Sequence, residues 1–268
     1  QFFIYQGFNP HIGWMHTSTG VDVVDEFAET IIRTPGTLMY RHGKDARPVT
    51  TETIVVPFKG ADGAYCVTFY WAHMDPEREI AEAHTLADAA KAADVKHVIW
   101  STLEDTRKWV PLDSDQMPTI HDHYKVPHFD TKGESNRFFH NRVPTTFLLT
   151  SFYWDNLINF GMNPKPDGQG GYVFALPMDN AKLPGIAAED IGRSAYGIFK
   201  QGDAAIGKTI GIAGEHLTGA EMASAVIEVR GSNCRHLAIS PANYRALGFP
   251  GADDLCNMFQ FKRDFEAY

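Results

Sequence analysis

The stretch from residue 64 to residue 100 constrains the fold more than any other part of the chain. It opens with Ala64-Tyr65-Cys66-Val67-Thr68-Phe69-Tyr70-Trp71, β-branched and aromatic, which reads as a buried strand. Asp75 then offers a helix N-cap with Pro76 at the first helical position, and residues 76–93 are rich in Ala and Glu with apolar residues at helical spacing. Val95-Lys96-His97-Val98-Ile99-Trp100 follows as a second apolar strand without Gly or Pro. A strand, a helix and a strand in that order predict parallel pairing through a right-handed crossover, hence an α/β fold with helices on both faces of the sheet.

The rest of the chain extends this alternation. Strands are predicted at Gln1-Phe2-Phe3-Ile4-Tyr5, at Glu29-Thr30-Ile31-Ile32-Arg33 with Thr34-Pro35-Gly36 as its turn, and at residues 145–150. Tyr172–Leu176 and residues 209–213 read as later strands. A helix opens at Ala187, and Thr218 with Glu221 forms a capping box for another that runs to about Arg230. Residues 37–52 show no clear period and read as irregular, residues 161–171 as a surface excursion, and the segment after Arg230 as helical. At 268 residues the chain can hold one large α/β domain, or one domain with a small appendage.

Composition excludes some functions. A formal net charge of -9 argues against non-specific binding to nucleic acid or to an anionic membrane, and no motif clusters Arg and Lys on a recognition helix. No apolar run is long enough for a membrane span, and no signal peptide is evident. Cys66, Cys234 and Cys256 have neither metal-ligand spacing nor a disulfide framework, so a reducing, cytoplasmic setting is the expectation. His121, His123 and His128 come close in sequence, but without cysteine or a nearby carboxylate pattern they predict no metal centre.

Ligands of open parallel sheets bind at the carboxyl ends of the strands, and the candidate site residues fall there. Ser101 ends one strand. His128 and Lys132 stand four residues apart at a helix start, on one helical face. Gly7-Phe8-Asn9-Pro10-His11-Ile12-Gly13 has the frame of a dinucleotide loop that turns from a strand into a helix, although Pro10 replaces the middle glycine and offers no N–H. Arg33, about twenty residues further on, lies where such folds read the adenosine ribose, and an Arg there favours the 2′-phosphate of NADP over NAD. Thr68, Phe69 and Tyr70, and likewise Ser151, Phe152 and Tyr153, place hydroxyls and flat rings at two further strand ends, where rings flank a base or cap a core.

With these residues in view the sequence resembles the NmrA-like family, atypical relatives of the short-chain dehydrogenases and reductases. The resemblance is carried by Lys96-His97-Val98-Ile99-Trp100-Ser101-Thr102-Leu103-Glu104 and by His128-Phe129-Asp130-Thr131-Lys132-Gly133-Glu134. It continues in Val143-Pro144-Thr145-Thr146, Phe152-Tyr153-Trp154-Asp155-Asn156, Ala188-Glu189-Asp190-Ile191-Gly192 and Gly248-Phe249-Pro250-Gly251-Ala252, and it thins before Gly60. It implies a Rossmann-type doubly wound parallel sheet, with residues 1–150 as the NAD(P)-binding domain. Residues 151–268 then supply the remaining strands and a small C-terminal α/β lobe for a substrate or partner. It also implies that Gly7, Asn9, Pro10, His11, Ile12, Gly13, Arg33, Thr68, Phe69, Tyr70, Ser101, Lys132, Ser151, Phe152 and Tyr153 hold NADP, with NAD as the other dinucleotide. Ser101 and Lys132 occupy two positions of the short-chain dehydrogenase catalytic set, and His128 stands in the position of its Tyr. Three readings follow: a redox sensor acting through a protein partner, an NADPH-dependent reductase of a quinone, enone or other aromatic compound, and a scaffold with a degraded cofactor site.

Overall fold

The crossover expected at residues 64–100 is present in the computed structural model, which describes residues 6–8, 13–15, 31–34, 37–42, 45–48, 62–158 and 161–265. The chain divides into two compact units, one of residues 1–8 and 14–59 and one of residues 9–13 and 60–268.

The described part of the first unit consists of short strands. β1 (Gln6–Phe8) and β2 (Gly13–Met15) form a two-stranded sheet, so Gly13 opens a strand and not the expected helix. β3 (Ile31–Thr34), β4 (Thr37–His42) and β5 (Asp45–Pro48) form a meander in which Arg33 is opposite Leu38. Pro35 and Gly36 of the foreseen turn lie outside the described residues, whereas residues 37–42 and 45–48, within a stretch expected to be irregular, are strands. Their pairing comes from an adjacent partner, which a search for periodicity does not see. The strand expected at residues 1–5, and Asn9, Pro10, His11 and Ile12 of the glycine loop, lie outside the described residues.

The second unit begins with β6 (Ala64–Cys66), α1 (Pro76–Ala92), β7 (Val98–Thr102), α2 (Pro127–Phe139) and β8 (Thr145–Leu149). It continues through β9 (Phe152–Tyr153), β10 (Lys165–Pro166), β11 (Tyr172–Leu176), β12 (Leu183–Ile186) and α3 (Ala188–Gln201). β13 (Thr209–Gly211), β14 (Glu215–Leu217), α4 (Gly219–Arg230), β15 (Cys234–Ala238), α5 (Pro241–Arg245) and α6 (Ala252–Asp264) complete it.

The central sheet has the order β13-β8-β7-β6 and every pair in it is parallel. Side chains alternate across β7. Val98 and Trp100 pack with Ala83, Ala87 and Phe139 on the face covered by α1 and α2, whereas Ile99 packs with Leu148, Ile191, Ala195 and Ile198 under α3. The Trp100 ring stacks on Phe139 with centroids 4.6 Å apart, and its N–H donates to Asn136 Oδ1 at 2.9 Å. Residue 150 falls between β8 and β9, where the chain leaves this sheet for two small sheets, β14-β12-β9 and β10-β11-β15, before β13 returns.

Two strands differ from their expected bounds for identifiable reasons. β6 ends at Cys66, because the strand pairing stops there and Tyr70–Ala72 forms a short 3₁₀ turn. β7 starts at Val98, because the N–H of Val95 still donates to Ala90 O at the end of α1. The third difference is β15, in a segment read as helical: it pairs in parallel with β11, from Tyr172 opposite Cys234 to Leu176 opposite Ala238. Asp75 caps α1 and the Thr218–Glu221 capping box opens α4, both as foreseen.

Candidate functional site

The loop after β6, the start of α2 and the start of α6 meet at the carboxyl edge of the central sheet. Asp130, in the first turn of α2, fixes that helix. Its carboxylate accepts from Thr106 N (2.7 Å) and Oγ1 (2.6 Å), and from the N–H groups of Lys125 (2.8 Å) and Val126 (3.0 Å). His128 and Lys132 are thereby held one turn apart, both buried and both directed to the residue 68–73 segment, as the spacing predicts.

Lys132 is not a solvated helix-start lysine. Its Nζ donates to Thr68 O (2.8 Å) and Thr68 Oγ1 (2.7 Å) and lies 2.9 Å from Glu79 Oε1. Thr68 Oγ1 in turn donates to Glu79 Oε1 at 2.5 Å. Glu79 belongs to the first turn of α1 and is fully buried. Desolvation pushes the Lys132 ammonium below the ordinary lysine value, and the Glu79 carboxylate opposes that shift.

Glu79 also faces His73, whose Nε2 lies 3.3 Å from Glu79 Oε2 and 3.6 Å from Glu82 Oε2, a donor set compact enough for a cation. The chemistry of the ring argues otherwise. The N–H of Asp75 donates to His73 Nδ1 at 3.0 Å, so the neutral ring carries its proton on Nε2. A metal ligand requires the reverse, a bare Nε2 and an Nδ1 that donates. The three side chains are close neighbours, with no hydrogen bond between His73 Nε2 and either carboxylate.

His128 is clamped by a residue 126 positions away. Asp254, in the first turn of α6, accepts from His128 N at 3.2 Å and pairs with His128 Nδ1 at 2.6 Å. The imidazole packs 4.7 Å from the Trp71 ring.

Ser101 does not join Lys132. It shares the α3 side of β7 with Ile99 and neighbours Tyr65, whose phenol burial pushes up to about 12. The hydroxyl on the α2 side is that of the next residue, Thr102, which donates to Lys132 O at 3.1 Å. Ser101 and Lys132, which the resemblance gave as members of one catalytic set, are thus set apart by the two-residue period of a strand. Among the other predicted residues, Thr68 belongs to the lysine network and Phe69 is half exposed, whereas Tyr70 and Phe152 are core side chains. Tyr153 is held above the ordinary phenol value by burial. Gly7, Gly13 and Arg33 lie in strands of the first group of elements. Glu79 and Asp254 were missed from sequence, since an acid in a helix's first turn is commonplace and carries no mark of its partner.

A cavity of about 360 Å³ opens at the carboxyl ends of β8 and β13. Ser151, Glu104, Trp109, Phe261 and Lys262 line it. Lys262, near the end of α6, is buried and donates to Glu104 Oε1 at 2.8 Å.

A parallel sheet with helices on both faces and polar groups gathered at its carboxyl edge defines a Rossmann-type α/β protein. The NmrA-like family model matches residues 17–268, and the chain belongs to that family. Nitrogen metabolite repression protein nmr of Neurospora crassa is 32% identical over 170 residues, 60% of this chain and 32% of that protein. The solved structure of NmrA, a negative transcriptional regulator, in complex with NADP is 25% identical, with a TM-score of 0.59 over 78% of this chain and 62% of that one. Citrobacter sp. triphenylmethane reductase complexed with NADP(H), 17% identical, shares the fold with a TM-score of 0.57 over 78% of this chain and 69% of its own. The chain spans less than two thirds of the length of the first two. Among the described residues no helix is long and apolar enough to cross a membrane.

Proposed function

We propose that the chain binds NADP(H) and acts as a redox sensor through a protein partner. The observation that carries this reading is the state of Lys132, whose three N–H groups meet three acceptors, Thr68 O, Thr68 Oγ1 and Glu79 Oε1. To take a ribose hydroxyl the ammonium must release one of them, and that loosens the first turn of α1. Nucleotide occupancy then has a consequence away from the nucleotide, which is what a sensor needs. A lysine so engaged binds and orients; it is poorly placed to deliver protons repeatedly.

Among the described residues, Lys132, with Thr68 against it at the carboxyl edge of the sheet, offers the N–H donors that would hold a nicotinamide ribose. When bound, the nucleotide supplies hydride chemistry, and this chain's residues hold and orient it. The preference for NADP rests on Arg33, and its support comes from sequence position and from the NADP complex of NmrA.

The reductase reading has one observation of its own. Asp254 holds Nδ1 of His128, which leaves Nε2 as the nitrogen that exchanges protons. The scaffold reading rests on Pro10 in the glycine loop.

Calorimetric titration of the purified chain with NADP⁺, NADPH, NAD⁺ and NADH tests the proposal. The expected result is tighter binding of the NADP pair, by the roughly 1.5–3 kcal/mol of a charge-assisted contact, and loss of that preference in Arg33→Ala. NADPH consumption across quinones and enones should not exceed the protein-free rate. Turnover that depends on His128 selects the reductase, and absence of nucleotide binding selects the scaffold.

A further inference from the structure

Glu104 and Ser151 each leave one buried oxygen without a partner, and both line the same cavity. Glu104 Oε1 is used by Lys262, whereas Glu104 Oε2 is shielded from solvent and accepts nothing. Ser151 Oγ is shielded and unpaired as well. A buried carboxylate oxygen is acceptor-only, and leaving it unmade is costly, so the site is complete only with a donor from outside the chain.

The walls describe the rest of that donor's molecule. Trp109 and Phe261 meet edge to face with centroids 5.7 Å apart, and Lys262 Nζ lies 5.7 Å from the Phe261 ring. Flat apolar walls favour a flat apolar guest. The Glu104–Lys262 pair brings one charge of each sign, so the polar corner is neutral overall and demands no net charge of the guest. An anion would set its charge against Glu104 Oε2. A cation would find Lys262 next to the only free carboxylate oxygen in the lining. A cavity of about 360 Å³ suits one or two rings.

We infer that this cavity binds an uncharged planar aromatic molecule bearing an O–H or N–H group, with Glu104 Oε2 taking that proton donor and Ser151 Oγ bonding beside it. The inference goes beyond the NADP(H) reading and does not depend on it. The guest is a separate phenol-like or amide-bearing aromatic; a nicotinamide ring does not meet the requirement, being a cation in NADP⁺ and a non-aromatic dihydropyridine in NADPH. An aromatic with acceptors alone, such as an unsubstituted quinone, leaves Glu104 Oε2 unsatisfied and is selected against.

The test uses 2-naphthol, 2-methoxynaphthalene and 2-naphthoate, titrated against nucleotide-free protein by calorimetry and by ligand-observed NMR. 2-Naphthol should bind about tenfold or more tightly than its methyl ether, which has lost only the donor, and 2-naphthoate should bind no better than the ether. Ser151→Ala and Glu104→Gln should each shrink the naphthol-to-ether ratio. Because Glu104→Gln disturbs Lys262, the ligand pair on wild-type protein and the Ser151→Ala variant decide the matter if it fails to fold. Equal affinities for naphthol and ether, tighter binding of the naphthoate, or an unchanged ratio in Ser151→Ala overturns the inference. The naphthol titration is repeated with saturating NADP⁺: simultaneous binding is expected, and mutual exclusion gives the cavity to the nucleotide and overturns the inference. The absence of any NADP⁺ binding would overturn the function proposed above while leaving the naphthol result intact.

Discussion

Lys132 Nζ stands 2.9 Å from Glu79 Oε1, across the boundary between α2 and the first turn of α1. The carboxylate is fully buried and the ammonium nearly so, and Thr68 bridges them from the loop after β6. A loop, the helix that follows it and a second helix more than fifty residues further on are tied at one point of the sheet edge.

Removing one partner of such a pair leaves an uncompensated buried charge. Lys132→Met is therefore expected to destabilise the fold by about 3–5 kcal/mol. The double variant Lys132→Met with Glu79→Gln should cost clearly less than the sum of the single changes, since each single variant carries the other's orphaned group. Urea unfolding of the four proteins measures the coupling, and strict additivity would show that the pair is not an energetic unit.

Gly133 tests packing against propensity. It lies within α2, where replacement by alanine ordinarily stabilises a helix by up to about 1 kcal/mol. A Cβ at this position, however, comes within 2.7 Å of Asp105 N and 3.0 Å of Asp105 Cα, which are backbone atoms that cannot swing aside. Gly133→Ala should accordingly destabilise by about 1–3 kcal/mol, and a rise in unfolding midpoint would contradict the close approach of α2 to that loop.

Tyr65 gives a dependence on alkaline pH. Burial raises its phenol from 10.0 to about 12, with the neighbouring Ser101 side chain opposing the shift. The folded state thus holds the proton more tightly than the unfolded chain. The associated stability is complete below pH 10 and is lost as pH climbs through 12. Wild type should lose about 2–3 kcal/mol more than Tyr65→Phe across that window, measured by urea unfolding at stepped pH. Parallel curves for the two proteins would place the phenol in water.

Much of the second unit was legible in the sequence because its signals are local. The crossover through α1, the caps at Asp75 and Thr218, and the strands β8 and β11 each announce themselves within a few residues. β15 did not, because a short segment with Arg235 and His236 becomes a strand only when β11 lies alongside it. The paired strands of residues 31–48 were hidden likewise, since residues 37–52 carry no period of their own.

The site divides the same way. The sequence by itself determined that His128 and Lys132 share a helical face, because one turn of helix fixes that spacing whatever surrounds it. It determined the α/β class through the order of its apolar runs. Only the tertiary structure decided what those two side chains hold: Asp254, 126 residues from His128, and Glu79, an acid indistinguishable in sequence from any other at a helix start. It also decided that Thr102 and not Ser101 faces α2, because the face a strand residue takes depends on which side the helices pack. Pairing between distant residues is settled by chain packing and the burial of charge, and neither leaves a mark within a window of sequence.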